Sequence, residues 1–186
     1  MTETVTPSRP AADARPARTT RRRARDEEFT AFVESTATRL RRSAYLMCRD
    51  WHLAQDLTQQ TYTKMYATWN RIRTSPNLES YSRRVLMNLV FDQARSRKST
   101  ELVVADPPDH SAGPPPSPEL RLALVDALAH LPLDDRAVLV LRHAEDHSVD
   151  TVATILGLSV SAVKMRNARA LAKLRTLLGQ DFLDPE

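Results

Sequence analysis

Glycine is scarce in this chain: three residues in 186, against twelve prolines. Hairpin turns and phosphate-cradling loops both depend on glycine for backbone angles that other residues resist, so neither an all-β fold nor a P-loop nucleotide enzyme is expected. Cysteine occurs once, at Cys48, which can neither close an internal disulfide nor supply a cysteine-rich zinc site. Long apolar runs are missing too. The longest aliphatic stretch, 137–141, has five residues, whereas a membrane span needs about twenty, so no membrane insertion is expected. The arginines at 21–23 lead into Asp26, Glu27 and Glu28 rather than an apolar segment, which does not read as a secretory signal. A cytoplasmic, nucleoid-associated location is the expectation.

The charge that is present is unevenly placed. Residues 1–25 carry seven arginines against Glu3 and Asp13, with almost no large apolar side chain, and read as a disordered basic tail. Residues 99–118 hold six of the twelve prolines and three acids without a base, the composition of an extended, semi-rigid linker. The last part, 119–186, is acidic overall, yet 159–178 contains Lys164, Arg166, Arg169, Lys173 and Arg175 and no acid. A basic helix inside an acidic segment points to a localised polyanion contact.

Periodicity supplies the fold class. Leu53, Leu57, Thr61, Met65 and Trp69 recur every four residues, and Tyr81, Val85, Leu86, Leu89 and Val90 mark a further helix after a polar break at 70–77. No segment alternates with period two. The expectation is all-α: a helical domain at 26–98, the linker, a second helical domain at 119–178, and a short tail at 179–186.

The sharpest pattern lies in the second domain. Ser148 is a candidate N-cap for a helix carrying Val152, Ala153 and Ile155 inward. Gly157 then supplies a left-handed C-cap, Leu158 plugs the turn, and Ser159 caps the next helix. On that helix Val163, Ala170, Leu171 and Leu174 form the buried stripe, while Ser161, Lys164, Met165, Arg166 and Arg169 lie on the other side. This is the grammar of a DNA-reading helix-turn-helix, whose second helix enters the major groove by its N-terminal end.

With these motifs in hand, the segment LPLDDRAVLVLRHAEDHSVDTVATILGLSVSAVKMRNARALAKLR resembles domain four of bacterial RNA polymerase sigma factors. Independently, WHLAQDLTQQTYTKMYATW followed by LESYSRRVLMNLVFDQARSRK resembles their domain two. Two such domains with only a tether between them is the layout of the extracytoplasmic-function type. The signature formed by Asp50, Trp51, Ala54, Asp56, Leu57 and Gln59 is similar to that of the actinobacterial sigma-E-like subfamily. The resemblance implies a subunit that directs core polymerase to promoters. It implies that Asp56, Gln59, Gln60 and Thr63 dock on the β′ clamp, with the β flap as a second polymerase contact, and that Ser161, Lys164, Met165, Arg166 and Arg169 read the minus-thirty-five element. It further implies that the loop 70–77 and the helix after it capture a flipped minus-ten base. An unpaired base needs a pocket with a basic rim, which Arg71, Arg73, Arg83 and Arg84 offer. Asn88 and Arg95 share a helix face with Arg84 and Asp92, and Asn88 and Asp92 could equally be a structural pair. An anti-sigma partner is implied by the family and by nothing in the residues themselves.

Other readings stay open at this point. A stand-alone helix-turn-helix regulator would bind duplex DNA without polymerase, and a decoy would bind polymerase without reading promoters. His143 and His147 have a metal-ligand spacing but straddle a helix end without further ligands, so no metal site is expected. No cofactor motif and no nucleophile–base set is apparent, and no enzymatic activity is expected.

Overall fold

Asp50 stops one helix and starts the next. Its backbone is extended and its carboxylate accepts a hydrogen bond of 2.9 Å from the Leu53 N–H, satisfying one of the free donors at a helix start. Just before it, Arg49 adopts the left-handed conformation at φ 57° and closes the preceding helix, its N–H reaching the Tyr45 carbonyl at 2.8 Å. The computed structural model describes residues 18–97 and 118–179, and among these every regular element is helical. Helices α1 (Arg18–Cys48), α2 (Trp51–Ile72) and α3 (Leu78–Arg97) form the N-terminal half. The C-terminal half has α4 (Pro118–Ala129), α5 (Leu133–Leu139) running into a π-helical turn (Val140–Ala144), then α6 (Val149–Leu156) and α7 (Val160–Leu178). None of the described helices is long and apolar enough to cross a membrane.

The four-residue stripe expected on α2 is the inner face: Leu57, Thr61, Met65 and Trp69 are all buried, with Leu53 at its edge. Trp69 packs edge-on to Phe29 with ring centres 4.9 Å apart and lies 5.5 Å from Phe32, so α1 and α2 are joined through aromatic contacts. Trp69 is therefore core, and Tyr81 is partly buried against the same cluster. The helix that opens at Leu133 after Pro132 continues to Ala144, its second part π-helical with bonds reaching five residues rather than four.

Helix α1 corrects one boundary. It begins at Arg18, so residues 18–25, expected in the disordered tail, are helical. Side-chain ties offset the ordering entropy: Arg23 lies 2.9 Å from Glu27 one turn on, and Arg25 binds Asp26 at 3.0 Å and stacks over the Tyr66 ring. The rest of the tail (1–17), residue 98 at the end of the expected first domain, all but the last residue of the expected linker (99–117) and residues 180–186 lie outside the described residues.

The two halves share one core. A single cluster of buried apolar residues runs from Leu40, Met47 and Leu86 to Val138, Val140, Val152 and Val163. Arg136, half-buried on α5, donates to the Met47 carbonyl of α1 and to the Ala129 and Leu131 carbonyls at the end of α4. Burial lowers its guanidinium pKa, with the nearby Arg49 charge adding to the effect. Arg49 itself is paired with Asp126 of α4.

Candidate nucleic-acid and polymerase-binding surfaces

Helices α6 and α7 are set by three local devices that the sequence spelled out. The Ser148 hydroxyl accepts from the Thr151 N–H at 3.1 Å and the Ser159 hydroxyl from the Ala162 N–H at 3.2 Å. Between them Gly157 turns left-handed at φ 66°, and the Leu158 N–H returns to the Ala153 carbonyl at 3.0 Å. Val152, Ala153, Ile155, Val163, Ala170 and Leu174 are buried, as their spacing requires. What remains facing solvent at the start of α7 is Ser161, Lys164 and Met165, the last 60% exposed.

Arg166 and Arg169 each meet an acid of α5, and the Arg169 side chain stays 58% exposed. Arg166 is 24% exposed and lies 2.9 Å from Asp134; Arg169 makes two hydrogen bonds, 2.8 and 2.6 Å, to the carboxylate of Asp135, a side chain only 2% exposed. The Asp135 hydrogen bonds raise the Arg169 pKa further above its ordinary value. The physical reason is on α5, whose first turn holds both acids, where the helix dipole favours negative charge. These two arginines brace α7 on α5. Asn167, on the same helix, accepts a 2.8 Å bond at Oδ1 from His143 Nε2, while His147 sits apart near Glu145, so the two imidazoles have separate partners.

On α2 the polar stripe stands open. Asp56, Gln59, Gln60 and Thr63 are all exposed, on the face opposite Leu57 and Thr61. The residues expected around a minus-ten base divide. Arg71, Arg84, Asn88 and Arg95 are exposed. Arg73 is exposed and holds Glu28 of α1 at 2.8 Å. Asp92 pairs with Arg95, three residues along the same helix. Arg83 does not belong to the rim: it is 3% exposed, bonded to Glu79 of its own helix and to Glu145 of the other half. Burial against the C-terminal half removes it from solvent. Glu145, which nothing in the local sequence pattern marks out, takes a second hydrogen bond of 2.6 Å from the Ser43 hydroxyl of α1.

A helix-turn-helix with an open basic N-terminal face, joined to a three-helix unit with an open polar stripe, defines a two-domain promoter-reading subunit. Residues 32–100 match the family described as Sigma-70 region 2 and residues 121–174 match Sigma-70, region 4. The RNA polymerase sigma-E factor of Streptomyces avermitilis is 35% identical over 158 residues, covering 84% of this chain and 88% of that one. Among solved structures, the sigma factor RpoE in complex with the anti-sigma factor NepR from Bartonella quintana superposes with a TM-score of 0.69 at 25% identity, over 82% of this chain and 97% of that one. CnrH in complex with the cytosolic domain of CnrY gives 0.64 at 26% identity, over 82% and 88%. The chain belongs to the extracytoplasmic-function sigma factors of bacterial RNA polymerase. It is a dissociable subunit that binds core polymerase and promoter DNA for transcription initiation, and a stand-alone regulator has no use for the region 2 half.

Proposed function

We propose that the exposed N-terminal face of α7 reads the minus-thirty-five element through Ser161, Lys164 and Met165, with Arg166 and Arg169 holding that helix at its angle. A helix-turn-helix sends the first turns of its second helix into the major groove, and there Lys164 meets guanine acceptors or phosphate while Met165 offers an apolar contact. Asp56, Gln59, Gln60 and Thr63 dock on the β′ clamp, and the C-terminal half meets the β flap. Arg71, Arg73, Arg84, Asn88 and Arg95 line the path of the minus-ten strand, Asn88 offering the bidentate amide that suits adenine. The protein works in the cytoplasm on the nucleoid, carries out no chemistry of its own, and is held inactive by an anti-sigma protein, a partner class represented by NepR in the solved complex with RpoE.

The observation carrying this reading is the capped, acid-free start of α7, left open while its own stripe is buried. Run-off transcription from a genomic promoter library with purified core polymerase tests it. Promoter-dependent transcripts are expected with the wild type, together with footprints at both elements. Transcripts that persist unchanged in a Lys164→Ala, Met165→Ala variant would overturn the assignment of α7.

A further inference from the structure

The Sigma-70 region 2 match begins at residue 32, yet α1 begins fourteen residues earlier, with an arginine-rich first stretch. That stretch is not spread over solvent. It forms one wall of an open cleft of about 1050 Å³ whose other wall is the end of α2 and the α2–α3 loop. The cleft is lined by Arg21, Arg22 and Arg25 on one side and Asn70 and Arg73 on the other, and no carboxylate among the described residues lines it.

The nearby carboxylates each hold one of these arginines from behind the lining. Asp26 accepts from Tyr66 at 2.7 Å and from Arg25, and these bonds lower its pKa. Glu28 is held by Arg73 Nη1 at 2.8 Å. Each pairing uses one side of its arginine and fixes the guanidinium in place, with further N–H donors left over, since a guanidinium has five. Arg21 is exposed and Arg22 makes only a loose contact of 3.9 Å with Asp26. Arg25 and Arg73 are each offset by a carboxylate, whereas Arg21 and Arg22 bring positive charge to the cleft that these two acids do not cancel, and an anion lying along it is favoured.

We infer that this cleft is a phosphate-binding groove for the single-stranded promoter DNA leaving the minus-ten site, with Arg21 and Arg22 as its outer grip and Arg25 and Arg73 as its fixed floor. The inference rests on the minus-ten reading proposed above in one respect: Asn70 and Arg73 belong to the loop assigned to that strand. A single strand suits the groove because successive phosphates follow one another along it, and guanidinium groups bind them without reading sequence. The groove thus adds affinity, not specificity.

The test uses the full chain assembled with core polymerase on a fork-junction promoter whose minus-ten region is single-stranded. Arg21→Gln with Arg22→Gln keeps good helix formers at two exposed positions. The slope of log affinity against log salt is expected to flatten by roughly 1.4, about 0.7 for each single-strand phosphate no longer neutralised. Core-polymerase affinity and base preference at the minus-ten element stay at wild-type values, and Arg21→Lys with Arg22→Lys keeps most of the slope. An unchanged slope in the Gln variant overturns the inference. So does a loss of core-polymerase affinity with the DNA slope intact, which would make the cleft a seat for an acidic protein surface. If Asn88→Ala leaves base preference untouched while the Gln variant still flattens the slope, the minus-ten residue assignment fails and the groove stands.

Discussion

The Arg83 guanidinium and the Glu145 carboxylate form an ion pair buried on both sides, 62 residues apart in sequence and on opposite halves of the protein. Breaking a fully buried pair costs about 3–5 kcal/mol, and because Arg83 keeps Glu79 as a second partner the loss of Glu145 falls below that range. Glu145→Ala is expected to loosen the contact between the halves, seen as a larger radius of gyration in small-angle scattering. Because two apolar side chains often replace a buried pair at no loss, Arg83→Met with Glu145→Leu should return the scattering curve towards wild type. Wild-type dimensions for Glu145→Ala would show that the pair does not hold the halves together.

Acid acts on the same contact through His147. Burial, and then the Arg83 charge, lower its pKa below the ordinary 6.5, against the opposing pull of Glu145 beside it and Glu79 on α3. A depressed folded-state value means that the folded form disfavours the proton. The contribution is fully present above pH 6.5 and is lost as pH falls through the folded-state pKa. An NMR titration of the His147 ring should give a midpoint below 6.5, and His147→Gln should flatten the acid limb of the stability curve. A midpoint at or above 6.5 would contradict the burial.

Lys164 and Arg169 are predicted to fail in opposite ways. Arg169→Ala strips two charge-assisted hydrogen bonds from Asp135 and leaves that buried carboxylate without its guanidinium partner. The thermal midpoint should drop clearly. Lys164→Ala should leave the midpoint within the small range of surface changes and weaken minus-thirty-five binding by ~1–3 kcal/mol. Calorimetry and promoter binding on both variants separate bracing from reading; equal thermal losses would refute the division.

Gly157 isolates a purely backbone effect. A Cβ placed there meets no atom within 4 Å, so the cost of Gly157→Ala comes from the left-handed φ of 66° alone. About 1–2 kcal/mol is expected, and Gly157→Asn should cost less because Asn tolerates that region better. Denaturant melts of both variants would check the order; an Asn variant weaker than Ala would contradict it.

Local rules made most of the fold readable from sequence. Asp50, Ser148, Gly157 and Ser159 each act within four residues of themselves, and the α2 stripe needs only the period of a helix. Three members of the Asp50–Gln59 signature proved architectural: Asp50 is a cap, and Ala54 and Leu57 are core, while Gln59 stays exposed. The errors came from charges whose partners are distant. Arg83 looked like a rim arginine because Glu145 is remote in sequence, and the tie of Arg169 to α5 was hidden because Asp135 is 34 residues away. The helical start at Arg18 was hidden because Arg25 is anchored by Tyr66, 41 residues on.

The ties between the halves differ in what they ask of the other side. Arg136 grasps a main-chain carbonyl at Met47, which any amino acid at that position supplies, whereas Glu145 demands an arginine and a hydroxyl at fixed places. A chimera carrying this C-terminal half on a relative's N-terminal half would keep the first tie whatever its sequence and forfeit the second unless both matching side chains travelled with it. Side-chain compatibility between grafted halves is therefore written at positions 43 and 83, and at 49, where Arg49 meets Asp126.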